Sequence, residues 1–145
     1  MRDIPQYLAG VSVDPSKTSE NVARRASLAF NDAINRRDLA ALRSLMTEDH
    51  TFIDSDDNVV SGREDVINAW KEFFDAFGDY RNVWARVTTN HEVLVAIGRS
   101  VCAVEPRLDG PAIWTASVRG EKVSVWRVYE DTPENRAMLG LDIEQ

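Results

Sequence analysis

Only one cysteine, Cys102, occurs in the 145 residues, so no disulfide can close within the chain. It lies in an apolar run with Val101, Ala103 and Val104, which points to a buried, inert thiol and fits a reducing compartment. No stretch approaches the roughly 20 apolar residues that a membrane span needs. The start, MRDIPQYLAG, also lacks a basic segment leading an apolar core. A cytosolic protein with no membrane partner is therefore expected. Histidines number only two, and no His, Cys, Asp or Glu set falls at metal-ligand spacing. With no Gly-rich phosphate loop and no internal repeat either, neither a metal nor any other cofactor is expected. Positive charge is scarce as well: 17 Lys and Arg stand against 24 Asp and Glu, for a net charge of −7. That balance repels phosphate backbones, and no basic stripe is interleaved with aromatics, so nucleic acid is not an expected partner.

What is present is enough apolar content, 43%, to build the core of one ordinary domain. Residues 1–17 carry Pro5, Gly10 and Pro15 without a sustained period and read as an irregular N-terminal arm, leaving 18–145 as a single domain. From Ser19, Val22, Ala26, Ala29, Phe30, Ala33 and Ile34 recur at helical spacing. Asp38 reads as the N-cap of a second helix, Leu39 to Met46. The run His50 to Asp54 is strand-like and leads into the turn-forming Ser55-Asp56-Asp57-Asn58. After Val59-Val60, the pattern Ser61-Gly62-Arg63-Glu64 predicts a capping box opening a third helix, with Gly78 ending it. Within that helix Val66, Trp70, Phe73, Phe74 and Phe77 make a broad stripe of the kind that faces a sheet.

Four strands are expected near 80–89, 92–104, 112–119 and 122–130, separated by turns at Asn90-His91, Pro106 to Pro111 and Gly120-Glu121. A short helical turn through Met138 closes the order, with Thr132 and Pro133 at its start. Helices that do not alternate with strands exclude a doubly wound parallel sheet. The expected fold is α+β, a curved antiparallel sheet forming a cone with three helices on its concave face and a pocket between them.

The segment FNDAINRRDLAALRSLMTEDHTFIDSDDNVVSGREDVINAWKEFF, residues 30–74, resembles the first half of the ketosteroid-isomerase and SnoaL-like polyketide-cyclase superfamily, of nuclear-transport-factor-2-like fold. VSVWRVYED resembles its closing strand, so the likeness spans most of residues 19–131. The resemblance implies the cone fold. It leaves the reaction open, because the architecture hosts isomerases, cyclases, hydrolases, dehydratases and non-catalytic modules.

Alternate strand residues share a face, so His50, Phe52 and Asp54 project together. The resemblance matches Asp54 to the aspartate that serves as catalytic base in the isomerases, where an aromatic cavity would raise its pKa. His50 would assist by sharing a proton, orienting a water or holding Asp54 ionised. The structural alternatives are a turn-capping Asp54 and a hydrogen-bonded His50 at a strand start. By helix and strand phase and by resemblance, Phe30, Phe52, Trp70, Phe74, Tyr80, Trp126 and Glu130 are the candidate substrate-binding residues, Tyr80 as a possible hydroxyl donor.

Several positions depart from the isomerase pattern. Phe30 stands where its oxyanion-hole tyrosine would be, and Trp114 or Thr115 where its protonated acid would be. The Arg-x-Asp pairing of limonene-epoxide-hydrolase-like members is missing from the middle strands, and His91 falls in a turn; Asp32 does resemble a helix-one aspartate of scytalone dehydratase. The reading is a cofactor-independent acid/base enzyme acting on a small apolar cyclic or carbonyl-containing molecule, the alternative a non-catalytic ligand-binding or dimerisation module. Arg127 and Tyr129, on the opposite face from Trp126, suit a homodimer through the convex sheet face.

Overall fold

The computed structural model describes residues 15–141. Of the arm expected over 1–17, the last three residues are already helical and the remainder lies outside the described residues. Helix α1, Pro15–Arg36, starts at a proline whose missing N–H is no loss in a first turn. It buries Ala23, Ala26, Phe30, Ala33 and Ile34 along one stripe and leaves Arg24, Arg25, Asp32 and Arg36 in solvent. Arg37, at φ 57°, reverses the chain. Helix α2, Leu39–Ser44, is shorter than the sequence predicts: Asp38 caps it by accepting from the Ala41 N–H at 3.0 Å, and Met46 already belongs to the first strand.

Strand β1, Met46–Ile53, is followed by β2, Val59–Ser61, and by helix α3, Arg63–Ala76. Then come β3, Arg81–Asn90, β4, Val93–Val101, a 3-10 turn at Pro106–Leu108, β5, Gly110–Arg119, and β6, Lys122–Glu130. Helix α4, Pro133–Met138, ends the described chain, capped by Thr132 accepting from Asn135. The strands form one curved, unclosed sheet in the order β2-β1-β6-β5-β4-β3, antiparallel throughout except that β1 and β6 run parallel. Helix α1 packs on β3 to β6 and α3 on β1 and β2, so the helices cover one face in two separate halves.

Three local expectations give way to stronger interactions. The Ser61–Glu64 capping box does not form: Gly62 is the N-cap without a side-chain bond, Ser61 faces Thr51 across β1 and β2, and Glu64 pairs with Arg43. Helix α3 ends at Ala76, ahead of Gly78. Strand β4 stops at Val101, because the next two backbone N–H groups go to side chains, Cys102 N–H to Asp109 and Ala103 N–H to Asp79. The Cys102 thiol is buried and donates to Asp79 at 3.5 Å.

Asn82 joins α1 to the start of β3. It donates to Asn31 at 2.9 Å, while Asn35 accepts from its N–H and donates to its carbonyl. On the opposite sheet face Ile113 is fully buried between the neighbouring strands, Val83 is largely exposed, and the Arg127 guanidinium lies 4.7 Å from the Tyr129 ring centroid.

Gly98 is fixed by close approach rather than by a turn. It lies opposite the register shift between Trp84 and Arg86, where an added Cβ would meet the Val83 carbonyl oxygen at 2.1 Å and the Trp84 Cα at 2.8 Å. Gly98→Ala should therefore cost upward of about 2 kcal/mol, because the obstruction is backbone and cannot swing aside. Gly78→Ala, whose Cβ would meet nothing nearer than 3.9 Å, serves as the control. Chemical denaturation of the two variants measures the difference, which equal midpoints would contradict.

Candidate functional site

The space left between the two helix-covered halves is a cavity of about 500 Å³. Helix α3 presents Val66, Ala69, Trp70 and Phe73 to it at helical spacing, and the sheet answers with Phe52 from β1, Ala112 and Trp114 from β5, and Trp126 and Val128 from β6. Strand alternation sets the sheet side of the wall: Ala112 and Trp114 share a face, and Trp114 pairs with Val128. Exposed side chains of the turn after β1, Asp56 among them, border the cavity, as do Arg107 to Asp109 between β4 and β5, Gly110 and Pro111 at the start of β5, and Glu130 at the end of β6.

The wall is held rigid by ring contacts. Trp70 meets Phe52 and Phe73 edge-on, with centroids 5.5 and 5.7 Å away, and Phe74 backs Trp70 at 5.4 Å. Behind the sheet wall, Trp84 stacks on Trp126 at 5.6 Å and Phe30 packs against Trp126 at 4.5 Å. Of the seven residues that the sequence suggests for binding, Phe52, Trp70, Tyr80, Trp126 and Glu130 border the cavity. Phe30 and Phe74 stand one layer behind it.

The two candidate catalytic residues go to different places. His50 is fully buried, stacked 5.5 Å from Phe30, and does not border the cavity. Its Nδ1 lies 2.7 Å from the Val123 carbonyl, which can only accept, so Nδ1 carries the proton. Its Nε2 is buried with no hydrogen-bond partner among the described residues. Burial holds the imidazole pKa below its usual 6.5 despite the Val123 carbonyl and Asp49, which favour the cation. Asp54, just beyond β1, borders the cavity, but its carboxylate closes the following turn: Oδ1 accepts from the Asp56 and Asn58 N–H groups at 2.9 Å, and Oδ2 from Asn58 Nδ2 at 3.0 Å. No hydrogen bond joins His50 to Asp54 among the described residues.

Two hydroxyls interrupt the apolar wall. Tyr80, 8% exposed, borders the cavity with its ring edge against Phe73 at 4.8 Å. Burial raises its phenol pKa against the opposing influence of the Ser100 hydroxyl, which is also on the wall, so that the phenol stays neutral. Ser100 Oγ in turn donates to the Leu108 carbonyl at 2.6 Å. Nearer solvent, Asp109 pairs with Arg99 at 3.0 Å and Arg107 with Glu105 at 3.1 Å. Among the described residues no group of three or more His, Cys, Asp or Glu could hold a metal ion.

Sequence reasoning did not single out Ser100, and it considered Trp114 only as a replacement for an acid. The signal for Trp114 was its place on the Ala112 and Ala116 side of β5, which becomes a pocket side only once its register with β6 is known.

The SnoaL-like domain model matches residues 28–132 of this chain. Among solved structures, a protein from Jannaschia sp. CCS1 assigned as a SnoaL-like polyketide cyclase is 19% identical, with a TM-score of 0.68 over 94% of this chain and 100% of its own. An LEH-like epoxide hydrolase from M. tuberculosis is 15% identical, at 0.68 over 77% and 84%. A protein from Kribbella flavida assigned as a ketosteroid isomerase is 16% identical, at 0.66 over 88% and 93%. At such identities these likenesses establish the fold alone. No curated protein matches the chain.

The state of His50 has a consequence for stability. A histidine whose pKa is lower folded than unfolded binds fewer protons in the native state, so stability is lost as pH falls below the unfolded value near 6.5. The carboxylates held below 3.8, such as Asp79 and Asp109, act only at lower pH. The thermal midpoint should therefore begin to fall below about pH 6.5, and His50→Gln should flatten that first decline while leaving the more acidic one. Differential scanning calorimetry across the range checks this; a variant that kept the upper decline would assign it elsewhere.

Proposed function

Since the chain belongs to the SnoaL-like domain family, we propose that it binds one small, uncharged and largely apolar cyclic molecule in the cavity beside α3. The observation that carries this reading is the cavity itself, about 500 Å³ of space walled by Phe52, Val66, Trp70, Phe73, Trp114, Trp126 and Val128. That volume is ordinary for a site burying one small organic ligand, and rings packed on rings keep the space open before the ligand arrives. The border selects against anions. Asp54, Asp56, Asp109 and Glu130 face a single Arg107, itself paired with Glu105, so a carboxylate or phosphate approaches against net negative charge.

Acid/base turnover of an isomerase, cyclase, hydrolase or dehydratase type is the second reading, supported by the position of Asp54 on the cavity border. Its weakness is that the Asp54 lone pairs already serve three donors of the turn. We also propose self-association through the outer sheet face around Val83, Arg127 and Tyr129; sedimentation giving only monomer at micromolar concentration would rule it out.

Ligand binding is tested with a panel of apolar cyclic alcohols, ketones, lactones and epoxides by thermal shift and tryptophan fluorescence, since a ligand of the native state raises the melting temperature. A hit should be lost in Ala69→Phe, which fills the cavity from α3 while the fold stays intact, and kept in Asp54→Asn, which preserves the Oδ1 acceptor of the turn. A carboxylate on the same ring should bind about tenfold or more weakly at low salt, the gap narrowing as salt rises. Binding that survives in Ala69→Phe would place the ligand elsewhere. Turnover of a hit that Asp54→Asn abolishes would establish the catalytic reading.

A further inference from the structure

The apolar wall of the cavity holds one polar hydrogen that no protein group receives. Among the described residues, those buried on the wall with a side-chain N–H or O–H are Trp70, Tyr80, Trp114 and Trp126. The indole N–H groups of the three tryptophans are sealed within the wall. The Tyr80 hydroxyl is different: the residue is 8% exposed, its oxygen reaches open space, and it makes no hydrogen bond among the described residues. Ser100, also on the wall, has its own proton committed, because the Leu108 carbonyl at 2.6 Å can only accept. Burial raises the phenol pKa, so the Tyr80 proton stays on its oxygen. The phenol is also held in place before any ligand arrives. Tyr80 N–H donates to the Phe77 carbonyl at 3.1 Å, its carbonyl accepts from the Arg37 guanidinium, and its ring stands edge-on to Phe73 with centroids 4.8 Å apart. Backbone and ring are both fixed, so a contact to the hydroxyl needs little ordering.

Resting on the cavity-binding reading above, we propose that Tyr80 is the cavity's specificity residue: it donates a hydrogen bond to an oxygen of the bound ring. The ligands this favours are ring ketones, lactones and epoxides, over molecules of the same skeleton that lack a good acceptor. A ligand that covers the hydroxyl without an acceptor buries an unsatisfied donor, which costs more than an ordinary hydrogen bond contributes. A ligand with an acceptor oxygen avoids that cost, and no bond of the protein has to break for the contact to form. The rest of the ring lies against Trp70, Phe73 and Trp114, which present only apolar surface once their indole N–H groups are sealed away.

Camphor and thiocamphor test this, because they share a bicyclic skeleton and differ only in C=O against C=S, a much weaker acceptor. In calorimetric titrations Tyr80→Phe should weaken camphor about fivefold more than thiocamphor, the size expected of one neutral hydrogen bond. Comparing the two losses cancels the greater apolarity of the sulfur compound and any common change in the wall. The carbonyl stretch of bound camphor, followed by infrared difference spectroscopy, should lie at lower frequency in the wild type than in Tyr80→Phe, an effect that mere loosening of the wall would not produce. Since the hydroxyl bonds nothing in the protein, Tyr80→Phe should leave the thermal midpoint of the free protein unchanged. An equal loss for both ligands, or a carbonyl stretch that the substitution does not move, overturns the donor role while leaving cavity binding in place. So does a clear fall in that midpoint, which would give the hydroxyl a partner within the wall. Failure of both ligands to bind overturns the cavity reading and this inference with it.

Discussion

The parallel pairing of β1 with β6 is the constraint on which the rest of this structure depends. Thr51 to Ile53 pair with Val125 to Arg127, but between Met46 and Thr51 the two strands leave register. His50 lies in that gap and bonds the Val123 carbonyl with its ring, while the Val123 N–H bonds the Leu45 carbonyl at 2.7 Å and the Gly62 N–H bonds the His50 carbonyl at 2.8 Å. His50 thus ties the N-cap of α3 to the last strand, and there Val123 also holds the end of α2. A side chain with a single directed N–H and a flat face suits this position, since the ring also stacks on Phe30. The requirement for neutrality follows, because a charged imidazole there would be buried without a counter-ion in contact.

From that joint the molecule divides into a sealed part and an open part. Under α1 the rings of His50, Phe30, Trp126, Trp84 and Trp114 follow one another in contact, each pair with centroids no more than 5.9 Å apart. This file packs between α1 and the sheet, and His50, Phe30 and Trp84 do not border the cavity beside α3. Under α3 the same sheet meets a helix that presents Trp70 and Phe73 across a gap instead of into it. Trp114 and Trp126 belong to both parts, with one side in the file and the other bordering the cavity, so the cavity wall is as rigid as the core. A stiff wall around an empty apolar space favours binding, since little ordering remains to be done when a ligand arrives.

Much of this was legible in the sequence where a period was long and a face unambiguous. The stripe Val66, Trp70, Phe73, Phe74 and Phe77 specified α3 and its buried side, and alternation placed Trp126 opposite Arg127 and Tyr129. What the pattern could not specify were outcomes decided by partners distant in the chain. Ser61 and Glu64 spell a capping box, yet Arg43 and Thr51, from other elements, engage them. His50 and Asp54 share a strand face by count, yet the register gap and the end of β1 send one into the core and the other to a turn. Ser100 carries no local signal, because its role depends on Leu108 being folded back toward it.

The placement of Asp54 bears on what kind of site this is. A carboxylate acting on a bound molecule needs lone pairs free to receive a proton. In Asp54 those lone pairs accept from Asp56 and Asn58 and close the turn that forms part of the cavity border. The Ser100 hydroxyl, by contrast, donates to the Leu108 carbonyl and keeps its lone pairs. The proposed binding needs only the wall as it stands, whereas chemistry at Asp54 would have to disturb the turn on the cavity border.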